Sequence, residues 1–443
     1  MKKILFIISL AFFFSAPFLS AENSLAPIHL SFSEALRIAE EKSPTMIMAD
    51  ERVKQALERL NQARAVFFPQ VSGNLSEKRQ TMNLETVGLK PAGGGSPVVG
   101  PFNAFDARVK LSQTLFDWAL VKRLESVGAT RDLSKAEQMK AKEDVLALVG
   151  TLYIEAKRAE DALWFSKAVL RLSQEKYRLA NTHNKWGTGS DIEVKQAKAD
   201  LSESRFEWRL ANQKAVDRRL DLKVALGFSE SQAIELESKD FFFNIGLPKS
   251  KEIMNAASKH PEVITAESKL RELAAQNAAE KAGFLPKISG TVDYGASAEQ
   301  PSDSKETYAY GLQLSWPLFE GGQRNARVAE SDSASREAKT NFNDVKNQKE
   351  AKAFQAKGAL KNAKTLILAK RDSFEYYHAQ MELARHRYAN GTASELELIH
   401  SAAEEAQAKD QKDESVAVYR LAEINLAHAL GQMDRFLENM RKK

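Results

Sequence analysis

Phe67-Phe-Pro-Gln-Val-Ser-Gly73 and Phe284-Leu-Pro-Lys-Ile-Ser-Gly290 are two copies of one heptapeptide. In each, a segment with helical apolar spacing runs into a Pro, and a short alternating segment follows. The residue before a Pro is driven out of the helical region towards an extended one, so each copy marks a helix ending and a strand starting. The likeness continues in both directions. Upstream, Ser43-Pro44 matches His260-Pro261 at the same separation. Downstream, Leu111-Ser-Gln-Thr-Leu-Phe116 matches Leu314-Ser-Trp-Pro-Leu-Phe319, and Gly187-Thr188-Gly189-Ser190-Asp191 matches Gly391-Thr392-Ala393-Ser394-Glu395. Leu226-Gly227 then matches Leu430-Gly431. The separation shrinks between the strands because the first copy has the longer loop. The chain is a duplication of a unit about half its length.

Each unit carries two segments of period 2. Val71, Gly73 and Leu75 alternate with Ser72, Asn74 and Ser76, before a turn region at Pro91–Pro97 and Gly100-Pro101. Phe105, Val109 and Leu111 then share one face, against Asp106, Arg108, Lys110 and Ser112. In the second unit Tyr308, Tyr310, Leu312, Leu314 and Trp316 oppose Ala309, Gly311, Gln313 and Ser315. Each strand reads as roughly 10 residues, the length of a strand tilted across a bilayer. Taken alone, one such strand favours an ordinary half-buried sheet packed on a helix. Four strands favour lipid. A sheet in hydrocarbon must close, because an open edge leaves backbone groups without partners. The smallest common barrels have about 8 strands, so several chains must contribute, and three chains supply an even twelve.

Between the second strand and Gly187 lies a helical pattern without Pro. Leu120, Leu124, Val127, Arg131, Ser134 and Gln138 open a seam whose spacings alternate 4 and 3, a coiled-coil repeat rich in small and polar members. About 65 residues of helix reach ~100 Å. The twin runs from about Gly322 to Tyr388, and shorter helices return after each Gly-Thr turn to the two Leu-Gly ends. A solitary coiled-coil rod is the alternative reading of the helices alone.

The bulk composition agrees. The chain has 443 residues, 28% of them charged, with only 12 Pro and no Cys. This favours long helices and excludes a disulfide framework. The net charge of +5 is interleaved with acids and gives no nucleic-acid footprint. Residues 1–21 read as a secretory signal: Lys2-Lys3, an apolar run from Ile4 to Leu19, and the small Ala21.

In this order and duplication, Ser33-Glu-Ala-Leu36 with Ser43-Pro44, the two heptapeptides, Leu314 to Gly322, and the paired Gly-Thr turns with Leu-Gly ends resemble the TolC-like outer membrane efflux protein family. The likeness covers nearly all of the mature chain. It implies a mainly α fold with a small β part: a homotrimer closing one 12-stranded barrel in the outer membrane, continued by a long periplasmic α-helical barrel. It implies the exit duct of a tripartite pump or type I secretion system, joined by a periplasmic adaptor to an inner-membrane transporter. Outer membrane lipid is the further partner, and no cofactor or nucleic acid is implied.

The organisation expected is a first repeat over 22–227, with a β-hairpin at about 70–116 and a helical hairpin at about 118–227. A linking equatorial segment at 228–250 follows. The second repeat covers 251–431, with a β-hairpin at about 287–319 and a helical hairpin at about 321–431, before a C-terminal segment at 432–443. Adaptor docking falls on the turns Gly187–Asp191 and Gly391–Glu395, at the periplasmic end. The resemblance places Tyr388, Glu397 and His400 at the closed entrance, where copies of Glu397 would attract cations and repel one another. Some relatives latch this entrance with an Arg shortly after the Gly, where this chain has Ala393. An acid following such a turn is also ordinary helix capping, so Asp191 and Glu395 serve either purpose. Glu395, Glu397 and His400 do not share a helical face and make no metal set. No triad or P-loop pattern occurs, so an enzyme is the weakest class. The runner-up is a periplasmic coiled-coil adaptor or structural module without a membrane span; the strands separate the two.

Overall fold

A computed structural model of the protein describes residues 27–89, 95–237 and 246–441. The signal reading at 1–21 and much of the Gly- and Pro-rich turn lie outside them.

Strand β1 (Ile28–Leu30) leads into helices α1 (Phe32–Lys42) and α2 (Pro44–Ala65), then strands β2 (Gln70–Asn83) and β3 (Val98–Asp117). Helix α3 (Trp118–Lys185) follows β3 directly. Asp117 is at once the last strand residue and the helix N-cap, accepting the Leu120 N–H at 3.1 Å. Helix α4 (Asp191–Leu226) returns from the first Gly-Thr turn, and β4 (Ile234–Leu236) ends the unit. The second unit repeats the plan with α5 (Ser250–Ser258), α6 (Pro261–Ala282), β5 (Lys287–Ala298), β6 (Lys305–Ser315), α7 (Gln323–Ala389) and α8 (Glu395–Ala429), closed by α9 (Met433–Arg441). The 68 residues of α3 and 67 of α7 give helices of about 100 Å.

The sheet is antiparallel in the order β2-β3-β5-β6. Every strand end that joins a helix lies at one end of it. Two sequence readings need correction. Gly100-Pro101 lies inside β3, not in the turn: the ladder runs from Gln80 opposite Phe102 to Met82 opposite Val99, so two residues of β3 face one of β2. That bulge accommodates both the positive φ of Gly100 and the missing N–H of Pro101. β2 and β3, at 14 and 20 residues, therefore exceed the length read from alternation. Conversely, the second hairpin stops at Ser315, short of Phe319, before Pro317 would interrupt the ladder.

The repeated heptapeptide has a shared physical cause. Phe67 and Phe284 each lie two residues past a helix end, with a carbonyl in need of a donor. Gln113 Nε2 donates to Phe67 O at 2.7 Å, and Trp316 Nε1 donates to Phe284 O at 3.1 Å. Gln113 and Trp316 occupy the same place in the duplicated Leu-Ser-x motif.

The Leu-Gly and x-Pro motifs also meet. The α4 end at Gly227 abuts the start of α2, and the α8 end at Gly431 abuts the start of α6. A Cβ on Gly227 would lie 2.9 Å from Lys42 O, and one on Gly431 2.7 Å from Pro261 Cδ. Both glycines have positive φ, 77° and 63°. Two short helices thus stack end to end beside each long helix.

The main core surrounds the middle of α3. Val145, Leu146, Val149 and Tyr153 pack with Leu30, Phe32 and Leu36, with Leu222 and Leu226 of α4, and with Met433 and Phe436 of α9. Parallel pairing of β1 with β4 ties the segment after Gly227 to this belt. Glu143 is buried here and accepts the Met433 N–H at 2.8 Å, capping α9 from another helix. Burial pushes its carboxyl up to about 7. Neighbouring Asp144 is held at about 2: burial raises it, but hydrogen bonds from His428 and Lys140 outweigh that. The folded chain keeps the Glu143 proton while the unfolded chain releases it near 4.5. Stability from this group is therefore full below pH 4.5 and lost as pH rises through about 7, a change of about 3 kcal/mol. Glu143→Gln should flatten that part of the melting-temperature profile between pH 5 and pH 8, relative to wild type; an unchanged slope contradicts the assignment.

Candidate functional site: a bare sheet and two helical tips

The register gathers the large apolar residues on one face of the sheet, which they share with Glu77 and Glu306 away from the helices. Val71 and Leu75 of β2, Phe105, Val109 and Leu111 of β3, Val292 and Tyr294 of β5, and Tyr308, Tyr310, Leu312 and Leu314 of β6 form one apolar face. A bulge at Leu115 shifts the parity of β3 by one, so that Phe116 joins this face opposite Ile288. The opposite face holds Ser72, Asn74, Arg108, Lys110, Asp293 and Gln313. Among the described residues no helix lies across the apolar face: Tyr310 is 79% exposed and Leu312 76%. So wide an exposed apolar surface marks contact with another chain or with lipid. Trp316 stands one residue beyond β6, so its place is the junction with the helices and not the strand.

Edges match this pattern. Among the described residues β2 and β6 each have one unpaired side. The helices show the same incompleteness. α3 packs on α2, α4, α6 and α8, and α7 on α6 and α8, which leaves α4 and α7 outermost beyond the belt. Phe206 and Leu210 of α4 and Leu368, Tyr376 and Leu383 of α7 are exposed there.

At the far ends of the long helices, both Gly-Thr turns close alike. Gly187 and Gly391 have φ of 71° and 72°. The Thr188 N–H donates to His183 O at 2.9 Å, and the Thr392 N–H to Arg387 O at 2.8 Å. Gly189 packs against His183 and Asn184, while Ala393 replaces it in the second turn. Ser190 and Ser394 then cap the return helices.

The copies diverge at the following acid. Glu193 turns back to accept the Ser190 N–H at 3.1 Å, completing a capping box. Glu397 instead accepts from Arg387 Nη1 at 3.0 Å across the turn. Sequence reasoning missed Arg387, and with it the expectation of a bare Glu397 carboxylate changes: its charge is matched within the chain. Arg387 and Glu397 lie equally far from Thr392, so the antiparallel hairpin brings them level; His183 fills the Arg place in the first unit. Asp191 accepts from Asn184 Nδ2 at 2.9 Å, and Glu395 lies 3.7 Å from Arg178 of α3, linking the hairpins.

Ser394, Glu397 and His400 line a groove of about 560 Å³ with Ser173, Lys176 and Asp200 of the first hairpin. His400 is exposed, 3.5 Å from Glu404, and Tyr388 sits half-exposed on the last turn of α7 outside that groove. No described group of side chains is arranged to hold a metal ion, and no described helix is long and apolar enough to cross a membrane. The membrane question therefore rests on the sheet.

The family model described as "Outer membrane efflux protein" matches residues 35–228 and 253–432. This chain belongs to the outer membrane efflux protein family. It is similar to the pyoverdine export outer membrane protein OpmQ of Pseudomonas putida, 22% identical over 403 residues, with 90% of this chain and 85% of the relative covered. The probable efflux pump outer membrane protein TtgC of the same species is 23% identical, covering 83% and 76% of the two chains. Among solved structures, the Campylobacter jejuni CmeC outer membrane channel matches with a TM-score of 0.77 at 17% identity, over 93% of this chain and 88% of that one. The open-state MtrE channel of Neisseria gonorrhoeae gives 0.72 at 18%, covering 90% and 88%. The efflux protein is an outer membrane channel with a long periplasmic helical extension, not an enzyme. The family is that of the outer membrane factors of tripartite efflux pumps, which implies adaptor and inner-membrane transporter partners.

Proposed function

We propose that three copies close into one exit duct for small organic solutes. The observation carrying this is the four-stranded sheet with an uncovered apolar face and two open edges. Closure satisfies the edges: with strands alternating in direction, β6 of one copy meets β2 of the next antiparallel, and twelve strands preserve the alternation. The apolar face turns to lipid and the polar face to the lumen. Outermost α7 meets outermost α4 of the neighbour, which covers the exposed apolar side chains of both.

Relatives are named for pyoverdine, antibiotic and toluene efflux, which supports small molecules as solutes. The turns Gly187–Asp191 and Gly391–Glu395 take the adaptor, and the hairpins shift to widen an entrance formed by Tyr388, Glu397 and His400. Residues 1–21 act as the export signal. Deleting the gene should raise cellular accumulation of a toxic dye, and wild-type protein should restore efflux. Accumulation that ignores the deletion refutes the duct.

The Arg387–Glu397 pair is half-exposed, so breaking it costs less than about 1 kcal/mol. Arg387→Ala should leave thermal stability nearly unchanged, yet shift the reversal potential of channels in a planar bilayer towards cations, because three Glu397 carboxylates lose their counter-charge. An unshifted potential removes Glu397 from the constriction.

A further inference from the structure

The polar face of the sheet carries a charge pattern that export alone does not explain. Register places Lys78 of β2, Asp106, Arg108 and Lys110 of β3, Asp293 of β5 and Lys305 of β6 on it, with Asp117 opposite Lys287 at the end that joins the helices. Arg108 is committed to its neighbours. Its guanidinium donates to Asp293, to Asp106 at 3.1 Å and to Thr307 Oγ1 at 3.3 Å. It reaches Thr307 by crossing β5 over Gly295, its direct register partner. A Cβ at Gly295 would stand 2.4 Å from Ala107 O and 2.8 Å from Arg108 Cα, so this position admits only Gly. One cation thus bridges both carboxylates, which leaves one negative charge against the three lysines, Lys110 being the register partner of Asp293, and a surplus of positive charge on the face. Lys78, Lys110 and Lys305 are exposed and form no ion pair with any described residue.

We infer that these lysines form a cationic belt inside the barrel that favours anionic solutes on their way out. The inference rests on the trimeric reading above, which triples each lysine around one lumen. A ring of like charge between low-dielectric walls focuses its potential on the permeating solute. At about 0.1 M salt that potential extends about 10 Å from each lysine. The tip opposes it weakly, since Glu397 is matched by Arg387. The preferred class is small inorganic anions and organic molecules bearing a carboxylate or comparable acid group.

The test is the reversal potential of the purified full chain in a planar bilayer under a KCl gradient. Chloride should be preferred over potassium by at least about twofold near 0.1 M salt, moving to parity near 1 M, where screening reaches about 3 Å. The triple variant Lys78→Gln, Lys110→Gln, Lys305→Gln should lose the preference while still conducting. Should it fail to assemble, Lys110→Gln alone should lose part of the preference. Potassium preference in the wild type, or chloride preference that survives these substitutions, overturns the inference and leaves the duct standing. No channels at all would instead overturn the trimeric reading, and the belt with it.

Discussion

Leu312→Arg should abolish recovery of the protein from the outer membrane, whereas Gln313→Arg, one residue along β6, should leave it there. The two positions face opposite sides of the sheet. An Arg towards lipid near the bilayer midplane costs about 2–4 kcal/mol in a barrel, and the proposed trimer would incur that cost three times. Such a sum exceeds much of the about 5–15 kcal/mol stability of an ordinary domain. An Arg on the other side meets water. Membrane fractionation followed by heat-modifiable mobility on gels reads both variants. Equal loss in both would mean that neither side is lipid-facing, and that β6 tolerates no charge for reasons of pairing alone.

The second large effect is expected at the end-to-end helix joints. Gly227→Ala and Gly431→Ala each force a side chain into left-handed backbone, at about 1–2 kcal/mol. Each also drives a Cβ against a neighbouring x-Pro joint, with Lys42 O at 2.9 Å and Pro44 Cδ at 3.2 Å for Gly227, and Pro261 Cδ at 2.7 Å for Gly431, and overpacking of this kind costs about 1–3 kcal/mol. Together each substitution should lose about 2–5 kcal/mol, visible as a lowered melting temperature. Pro261→Ala in the Gly431→Ala background should recover part of the loss, because it relieves the contact but not the backbone strain. Gly358→Ala is the control: it lies within α7 with nothing within 4 Å of a built Cβ, and a helix interior favours Ala over Gly. A loss at Gly358 as large as that at Gly431 would contradict the joint.

What the sequence makes legible follows from period and repetition. The alternation around Tyr308–Leu314 and Phe105–Leu111 assigns the faces of the strands, because a period of 2 leaves only two choices. The unbroken 4-3 spacing after Leu120 gives α3 its length. Motifs whose partners lie far along the chain are harder. Leu226-Gly227 and Ser43-Pro44 are both visible as repeats, yet nothing local says that they touch. Gly100-Pro101 looks like a turn, because the bulge that accommodates it depends on the opposite strand. Glu397 looks like an uncompensated acid, because its partner Arg387 sits across the hairpin. The belt around α3 is the least legible part. β1 and β4 have three residues each, too few to show a period, and Glu143 reads as one more acid on a long polar helix until Met433 is folded against it.

The central claim is that one chain carries only part of a closed wall. Native mass measurement on protein extracted from outer membranes in mild detergent tests it most directly. Three copies in a single species is the predicted result; a lone copy, stable and carrying its tyrosine-bearing sheet uncovered, would contradict it.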